Sequence, residues 1–133
     1  MKVFLDTNVL ASAIATRGLC TDVLREVLSS EDLVISRALL DELKRIFADK
    51  FSLPDNIISD ALSLLRTDSE ISNSPTNISI DIQDKDDIII LSDAVSAGVD
   101  IFVTGDKEVL TLSSIGRMEI LSPRGFWEKL KSI

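Results

Sequence analysis

Four acidic residues stand where a fold could bring their carboxylates together: Asp6, Glu42, Asp87 and Asp106. Asp6 directly follows a short apolar run at residues 2–5, and Asp106 directly follows another at 101–105. Neighbouring carboxylates repel one another by up to ~4 kcal/mol per close pair at an effective dielectric of about 20. A divalent cation with a preference for oxygen ligands, Mg²⁺ or Mn²⁺, offsets that repulsion. Such a cation lowers the pKa of a bound water and stabilises charge on a phosphodiester, which permits hydrolysis without histidine.

The 133-residue chain contains no histidine and a single cysteine, Cys20. Ser–His–Asp and Cys–His catalysis are therefore excluded, as are zinc sites built on histidine or paired cysteines. One cysteine cannot form an internal disulfide, so the composition predicts a reducing, cytoplasmic location. The formal net charge of −8 disfavours a non-specific nucleic-acid coat protein, because phosphate neutralisation needs Lys and Arg. It is compatible with a carboxylate nuclease, and equally with surface charge that only maintains solubility.

The length and composition predict one globular domain over residues 1–133. The chain is 45% hydrophobic, which argues against disorder, and no apolar run reaches the roughly 18 residues typical of a membrane helix. The N-terminal apolar stretch stops at Asp6, which disfavours a secretion signal. Residues 69–77 are polar with one proline, and they are predicted to be a loop within the domain.

Short apolar runs alternate with amphipathic segments along the chain. Strands are predicted at 2–5, 33–36, 77–82, 101–105 and 118–122. Helices are predicted at 9–15, 20–29, from Ser36 to Phe47, 55–66, 86–97, 107–112 and from Pro123 onward. This alternation predicts an α/β fold whose parallel sheet is covered by helices on both faces. Sites in such sheets lie beyond the carboxyl ends of the strands, which places Asp6 and Asp106 at the same rim.

Asp6 and Asp106 also have an ordinary structural explanation. Aspartate is a favourable N-cap, so each residue could simply begin the helix that follows it. Thr104, two residues before Asp106, could likewise be an ordinary hydroxyl at the end of a strand. Position alone leaves both explanations open.

Glu42 and Asp87 lie early in helices whose N-termini face the same rim. Glu42 is six residues past Ser36 and is the least distinctive of the four, because glutamate is common on exposed helices. Asp87 belongs to a run with Asp84 and Asp86, and any of the three could be the helix cap. The pattern alone does not choose among them.

Five stretches resemble, in this order, the successive motifs of a PIN domain: "FLDTNVL", "VISRALLDELKRIF", "DKDDIIILSDAVSAGVD", "IFVTGDKEVL" and "ILSPRGFWEKL". The likeness covers nearly the whole chain, and "DTNVL" and "VTGDKEVL" are its most specific parts. It is strongest to VapC-like PIN proteins, the toxin components of toxin–antitoxin pairs. The resemblance implies a PIN-like (FEN-like) fold, a three-layer α/β/α sandwich around a mostly parallel sheet. It also implies an endoribonuclease that depends on Mg²⁺ or Mn²⁺.

The resemblance implies that the catalytic residues and metal ligands are the same four: Asp6, Glu42, Asp87 and Asp106. Asp87 is preferred over Asp84 and Asp86 because Ala94 follows it by seven residues, which is the Asp-to-Ala spacing of the family. Two further polar residues match positions that support the site in relatives: Asn8 and Thr104.

The family likeness also implies partners. It implies an RNA substrate, a homodimer, and a small antitoxin protein that inserts into the active-site groove. No clear basic track for RNA is visible in the sequence. Four cations near the predicted rim are RNA contacts or solvated surface charges: Arg17, Arg37, Lys85 and Lys107. The alternative to a toxin is a PIN-fold module that processes RNA, or binds it without cleavage, and that has no antitoxin.

Two other classes fit the pattern less well. A receiver-type phosphoacceptor domain needs an aspartate at the end of a central strand near mid-chain and a lysine after a late strand. Here the mid-chain is the polar segment 69–77, and the last predicted strand leads into Ser122 and Pro123. A phosphatase with an Asp-x-Asp nucleophile fits poorly because Asp6 is followed by Thr7 and Asn8.

Overall fold

The computed structural model describes residues 1–72 and 80–132. The strands in these ranges are β1 (Lys2–Leu5), β2 (Asp32–Ser36), β3 (Glu70–Ser72), β4 (Ile101–Val103), β5 (Ser114–Ile115) and β6 (Met118–Leu121). The helices are α1 (Thr7–Ala15), α2 (Leu19–Ser30), α3 (Arg37–Asp49), α4 (Asp55–Asp68), α5 (Lys85–Ser96), α6 (Lys107–Leu110) and α7 (Pro123–Lys131). No helix in the two ranges is long and apolar enough to cross a membrane.

The strands form one sheet in the order β3-β2-β1-β4-β6-β5. All neighbouring pairs are parallel except β5 and β6, which pair antiparallel. From β1 the chain first builds outward to β2 and β3, then returns to the other side of β1 to form β4. The strand order therefore reverses between β1 and β4. The crevice beyond the carboxyl ends of two such strands is where open α/β sheets bind ligands.

The central strands are buried on both faces of the sheet. The consecutive residues Val3, Phe4 and Leu5 are all fully buried, although their side chains alternate between the two faces. Helices must therefore cover both faces, which confirms the predicted three-layer α/β/α sandwich around a mostly parallel sheet. Phe4 on β1 stacks on Phe102 of β4 with ring centroids 5.2 Å apart. This contact helps to hold together the two strands that lead to the candidate site.

Helix α3 forms as its sequence pattern predicts. The Ser36 side chain caps it by accepting a hydrogen bond from the Leu39 backbone N–H at 3.1 Å. Leu39, Leu43 and Phe47 follow at steps of four residues and are fully buried. The exposed face is polar, so the helix presents one apolar side to the sheet and the other to solvent.

The predicted loop at 69–77 is wrong where it is described. Residues 70–72 form β3, which pairs in parallel with β2, whereas residues 73–77 lie outside the described part of the chain. The segment is polar and short. Pairing with a buried neighbouring strand makes it a strand, and composition alone cannot reveal that.

The predicted strand at 77–82 is also wrong where it is described. Residues 77–79 fall outside the described ranges, and residues 80–82 are not part of the sheet. The Ile82 N–H donates to the Ile80 carbonyl at 3.0 Å, which closes a tight turn instead of a ladder. The alternation of apolar residues here buries Ile82 without forming a strand.

Candidate active site

Asp6 and Asp106 lie at the switch point between β1 and β4. The last residues of these strands, Leu5 and Val103, are register partners. Asp6 donates its backbone N–H to the Val103 carbonyl at 2.9 Å, so the pairing continues as far as the rim. Asp106 is three residues beyond Val103 and precedes α6. The structure therefore places both residues at one edge of the sheet.

Thr104 joins these two residues through a buried hydroxyl group. Its Oγ1 donates to Asp6 Oδ2 at 2.7 Å and accepts from the Asp106 backbone N–H at 3.0 Å. Thr104 is fully buried and Asp6 is 7% exposed. Leaving such a buried acceptor without a donor is costly. Thr104 therefore orients the side chain of Asp6 and the backbone of Asp106 at the same time.

Both of these carboxylates cap helices. Asp6 Oδ1 accepts from the Thr7 N–H at 2.8 Å at the start of α1. Asp106 Oδ1 accepts from the N–H groups of Glu108 and Val109 at 2.8 and 3.3 Å at the start of α6. The capping explanation is therefore correct for both. It does not compete with a ligand role, because a carboxylate has about four lone-pair sites.

Asp87 lies in the first turn of α5 but is not its cap. Asp84 is the cap, since its Oδ1 accepts from the N–H groups of Asp86 and Asp87 at 2.9 and 3.4 Å. The segment before α5 is tied to α6, because the Gln83 N–H donates to Glu108 Oε1 at 3.3 Å. The start of α5 therefore lies beside the start of α6, and the Asp87 carboxylate is not used for capping.

The pKa of Asp87 reflects its partial burial and the negative charge around it. Partial burial raises this pKa from 3.8 to about 7, with further contributions from the charges of Asp84, Asp6, Asp106 and Glu42. Like charges that stand close together disfavour ionisation. The four acidic residues singled out in the sequence are thus near enough to act on one another.

Glu42 approaches the same region from α3. Its side chain is half-buried, and its charge raises the pKa of both Asp6 and Asp87. Burial is the largest cause of the raised pKa of Asp6, and the hydrogen bonds from Thr104 and Thr7 oppose it. The position of Glu42 follows from the packing of α3 against α1 and α5, which no local motif encodes.

The two polar residues after Asp6 differ in their surroundings. Asn8, expected to support the site, has an exposed side chain that makes no hydrogen bond with any residue in the described ranges. Thr7 is fully buried, and its Oγ1 has no hydrogen-bond partner among those residues. Buried hydroxyls are normally paired, so Thr7 offers an unused polar atom next to Asp6 in the chain. Thr7 is part of the "DTN" motif. From sequence alone, however, its presence there is explained by the tendency of threonine to begin helices.

Asp93 on α5 is a buried carboxylic acid that the sequence reasoning missed. It is 8% exposed, and burial raises its pKa while a hydrogen bond with the Ser36 side chain opposes the shift. Ser72 Oγ donates to the Asp93 backbone carbonyl at 3.0 Å. Asp93 therefore ties α5 to the ends of β2 and β3, next to the cap of α3. The sequence feature that could have indicated a buried Asp93 is the polar pair Ser92 and Asp93 inside an otherwise apolar helical run.

The chemistry of these side chains fits a hard divalent cation. The donors are carboxylate oxygens, which Mg²⁺ and Mn²⁺ prefer. Within residues 1–72 and 80–132, however, no three Asp, Glu or Cys side chains converge as ligands of one ion. Binding of one ion would therefore require side-chain rotations that draw the carboxylates together, and the ion would offset their mutual repulsion. Glu42 and Asp87 are the two freer to rotate, because their carboxylates make no hydrogen bond with the described residues, whereas those of Asp6 and Asp106 each cap a helix.

The fold and the acidic rim define an α/β protein with carboxylates at a switch point in strand order. A family model described as a PIN domain matches residues 2–108. The chain therefore belongs to the PIN domain family, whose members are nucleases. The resemblance carried by the sequence motifs is confirmed.

The chain is also similar in structure to VapBC2 from Rickettsia felis, in a crystal structure where VapBC2 is bound to a DNA fragment from their promoter. The TM-score is 0.64 at 18% sequence identity, and the match covers 92% of this chain and 98% of that chain. At this identity the likeness shows a shared fold. No curated protein is significantly similar to the chain in sequence.

We predict that Thr104→Val lowers the free energy of unfolding by about 1–3 kcal/mol, because it leaves a buried oxygen of Asp6 without its donor. It should also raise the pKa of Asp6, because in the wild type the hydrogen bond from Thr104 lowers that pKa and the substitution removes it. Thr104→Ser removes a methyl group but keeps the hydroxyl, so it should leave the pKa of Asp6 in place. Urea denaturation and carboxyl NMR measure the two effects. A Thr104→Val variant as stable as the wild type would contradict this role.

We predict that Asp87→Asn stabilises the protein in EDTA at about pH 8 but not at about pH 4. The pKa of Asp87 is about 7 in the folded protein, against the ordinary value of 3.8 that an unfolded chain would have. Between these two values the folded state therefore holds a proton that the unfolded state has already lost. The contribution of Asp87 to stability falls as pH rises from 3.8 to about 7, and the substitution removes that loss.

Melting temperatures at the two pH values measure this effect, and a gain of a few degrees is expected at the higher pH. Asp60→Asn is a matched control, because Asp60 lies at an exposed position on α4. An Asp87→Asn variant whose gain is the same at both pH values would show that burial and the neighbouring charges do not raise the pKa of Asp87.

Proposed function

We propose that this protein is an endoribonuclease that hydrolyses RNA phosphodiester bonds with Mg²⁺ or Mn²⁺ held by Asp6, Glu42, Asp87 and Asp106. The observation that carries the proposal is geometric: Thr104 holds Asp6 and Asp106 together where β1 and β4 end. Glu42 and Asp87 lie near enough that their charges act on the same region, although burial is the largest cause of the raised pKa of Asp87. A gathering of like charges costs free energy, and strongly shifted pKa values concentrate at functional sites. Membership of a nuclease family supplies a chemistry that such a cluster suits.

The groups of the protein have separate tasks in this proposal. A bound cation would activate water and stabilise charge on the phosphate. Asp6 would bind the cation in a fixed orientation, because the Thr7 N–H and the Thr104 hydroxyl hold both of its oxygens. Asp106 would contribute Oδ2, since its Oδ1 caps α6. Glu42 from α3 and Asp87 from α5 would complete the set, and Asn8 would support it from the exposed side of α1.

We further propose that the nuclease is the toxin of a type II toxin–antitoxin pair and acts as a cytoplasmic homodimer over the single domain 1–133. The similarity to VapBC2 and the VapC-like motifs support this assignment. A small antitoxin protein would silence the site. The net charge of −8 favours a partner whose contacting surface is basic.

The test is RNA cleavage by the purified protein with Mn²⁺, with Mg²⁺ and with EDTA. Cleavage should require the metal, and Asp6→Asn and Asp106→Asn should each reduce the rate by about 100-fold or more. Asp22→Asn, an exposed charge on α2, is the matched control and should cleave like the wild type.

Activity that survives in EDTA, or in both site variants, would contradict the proposal. Metal binding without cleavage of any RNA would instead favour the alternative, a PIN-fold module that binds RNA without an antitoxin. The toxin assignment has its own test. Expression of this protein should inhibit bacterial growth, and co-expression of a small protein encoded beside it should relieve the inhibition.

A further inference from the structure

Two adjoining cavities form a groove between α3 and α4, apart from the acidic rim. The larger has a volume of about 500 Å³ and the smaller about 290 Å³. Both are lined by Leu40, Asp41 and Arg66, so they are parts of one depression, which we call the α3–α4 groove. Its base is apolar, because the nearly buried side chains of Leu40, Ile58 and Leu62 line it.

The α3–α4 groove carries an excess of positive charge on a protein that is strongly negative overall. Its cations are Arg37, Lys44 and Arg66, and its carboxylates are Asp41 and Asp55. The chain as a whole has a net charge of −8. The three cations are exposed, and none of them joins an ion pair with another residue of the described ranges. They are therefore available to an anionic ligand.

The groove begins at the same edge of the sheet as the acidic rim. Arg37 is the first residue of α3 and directly follows the carboxyl end of β2. Ile71 of β3 lines this end of the groove and is 42% exposed. Lys44 is two turns further along α3 on the same face as Arg37, about 10 Å away along the helix axis. The cations thus lead away from the rim.

The opposite side of α3 carries Glu42. There Glu42 lines another cleft of about 170 Å³ against α5, together with Arg45 and Ile89. Asp41 lines both this cleft and the groove, so it lies between them. Helix α3 therefore has the candidate catalytic carboxylate on one side and the basic groove on the other. A polymer held at the rim can pass over the first turn of α3, at Arg37, into the groove.

We propose that the α3–α4 groove binds the backbone of single-stranded RNA on one side of the scissile bond, through Arg37, Lys44 and Arg66. This inference rests on the proposed function, and it names the surface that holds the substrate. Cations that contact phosphates supply sequence-independent affinity, which a chain with this much negative charge otherwise lacks. The described residues that line the groove include no aromatic side chain on which a base could stack, so the proposed contacts are with the RNA backbone.

Binding of a fluorescein-labelled, unstructured single-stranded RNA tests the inference. All variants carry Asp106→Asn and are measured in Mg²⁺, so that the RNA stays intact and binding is read without cleavage. The groove variant combines Arg37→Gln, Lys44→Gln and Arg66→Gln. The control combines Arg25→Gln, Arg117→Gln and Lys131→Gln, which removes the same charge from exposed positions outside the groove. Circular dichroism melting checks that both are folded.

The groove variant should bind RNA about tenfold more weakly than the control. Three lost phosphate contacts should also make the dependence of log K on log salt shallower by about 2, measured between about 50 and 200 mM salt. Equal affinities and slopes for the two triple variants would overturn the inference. The inference would also be overturned if the protein with Asp106→Asn alone did not bind RNA. It would likewise be overturned if the groove substitutions weakened binding of a poly-glutamate peptide but not of RNA.

Asp41→Asn provides a change of opposite sign. Asp41 lines both halves of the groove and is exposed, so removing its charge should tighten RNA binding by about two- to threefold. A gain in affinity cannot come from misfolding. Unchanged or weaker binding would count against RNA in the groove. Cleavage is tested separately, in the protein that keeps Asp106, so a failure of the proposed nuclease is distinguishable from a failure of the groove to bind RNA.

Discussion

A buried hydroxyl group, that of Thr104, donates to the Asp6 carboxylate and accepts from the backbone of Asp106. It lies where β1 and β4 end, at the point where the strand order reverses between them. Parallel pairing and the stacking of Phe4 on Phe102 bring the two strands to this point in register. The two hydrogen bonds of the hydroxyl then fix the position of the Asp6 carboxylate relative to the backbone of Asp106. Glu42 on α3 and Asp87 on α5 lie around Asp6 and Asp106.

The N-termini of three helices also help to position the carboxylates at the rim. Asp6, Asp84 and Asp106 each cap a helix, so three helices begin at the rim with their N–H groups directed at carboxylates. The positive ends of helices offset some of the repulsion between these side chains. Burial, together with the remaining repulsion, still raises the pKa of Asp87 to about 7. Capping and ligand binding are thus two uses of the same residues, and the requirement for one does not exclude the other.

The parts of this structure that local patterns encode were predictable. The Ser36 cap, the apolar face of α3 and the rim position of Asp6 follow from period, cap chemistry and strand order. The strand β3 was not predictable, because its polar residues become a strand only by pairing with β2. Asp93 was missed for the same kind of reason, since its burial against Ser36 depends on how α5 packs. Nor could the α3–α4 groove be predicted, because it depends on how two consecutive helices pack against each other, which no local pattern encodes.

The most direct measurement is a carbon-13 NMR titration of the Asp87 carboxyl group with and without Mg²⁺. We expect a pKa of about 7 without the ion. With saturating Mg²⁺ the pKa should fall well below that value, because a nearby cation favours the ionised form. Asp6→Asn should weaken the effect of Mg²⁺, whereas Asp22→Asn should not. A pKa that is ordinary without Mg²⁺, or one that Mg²⁺ does not change, would contradict a cation site built from these four carboxylates.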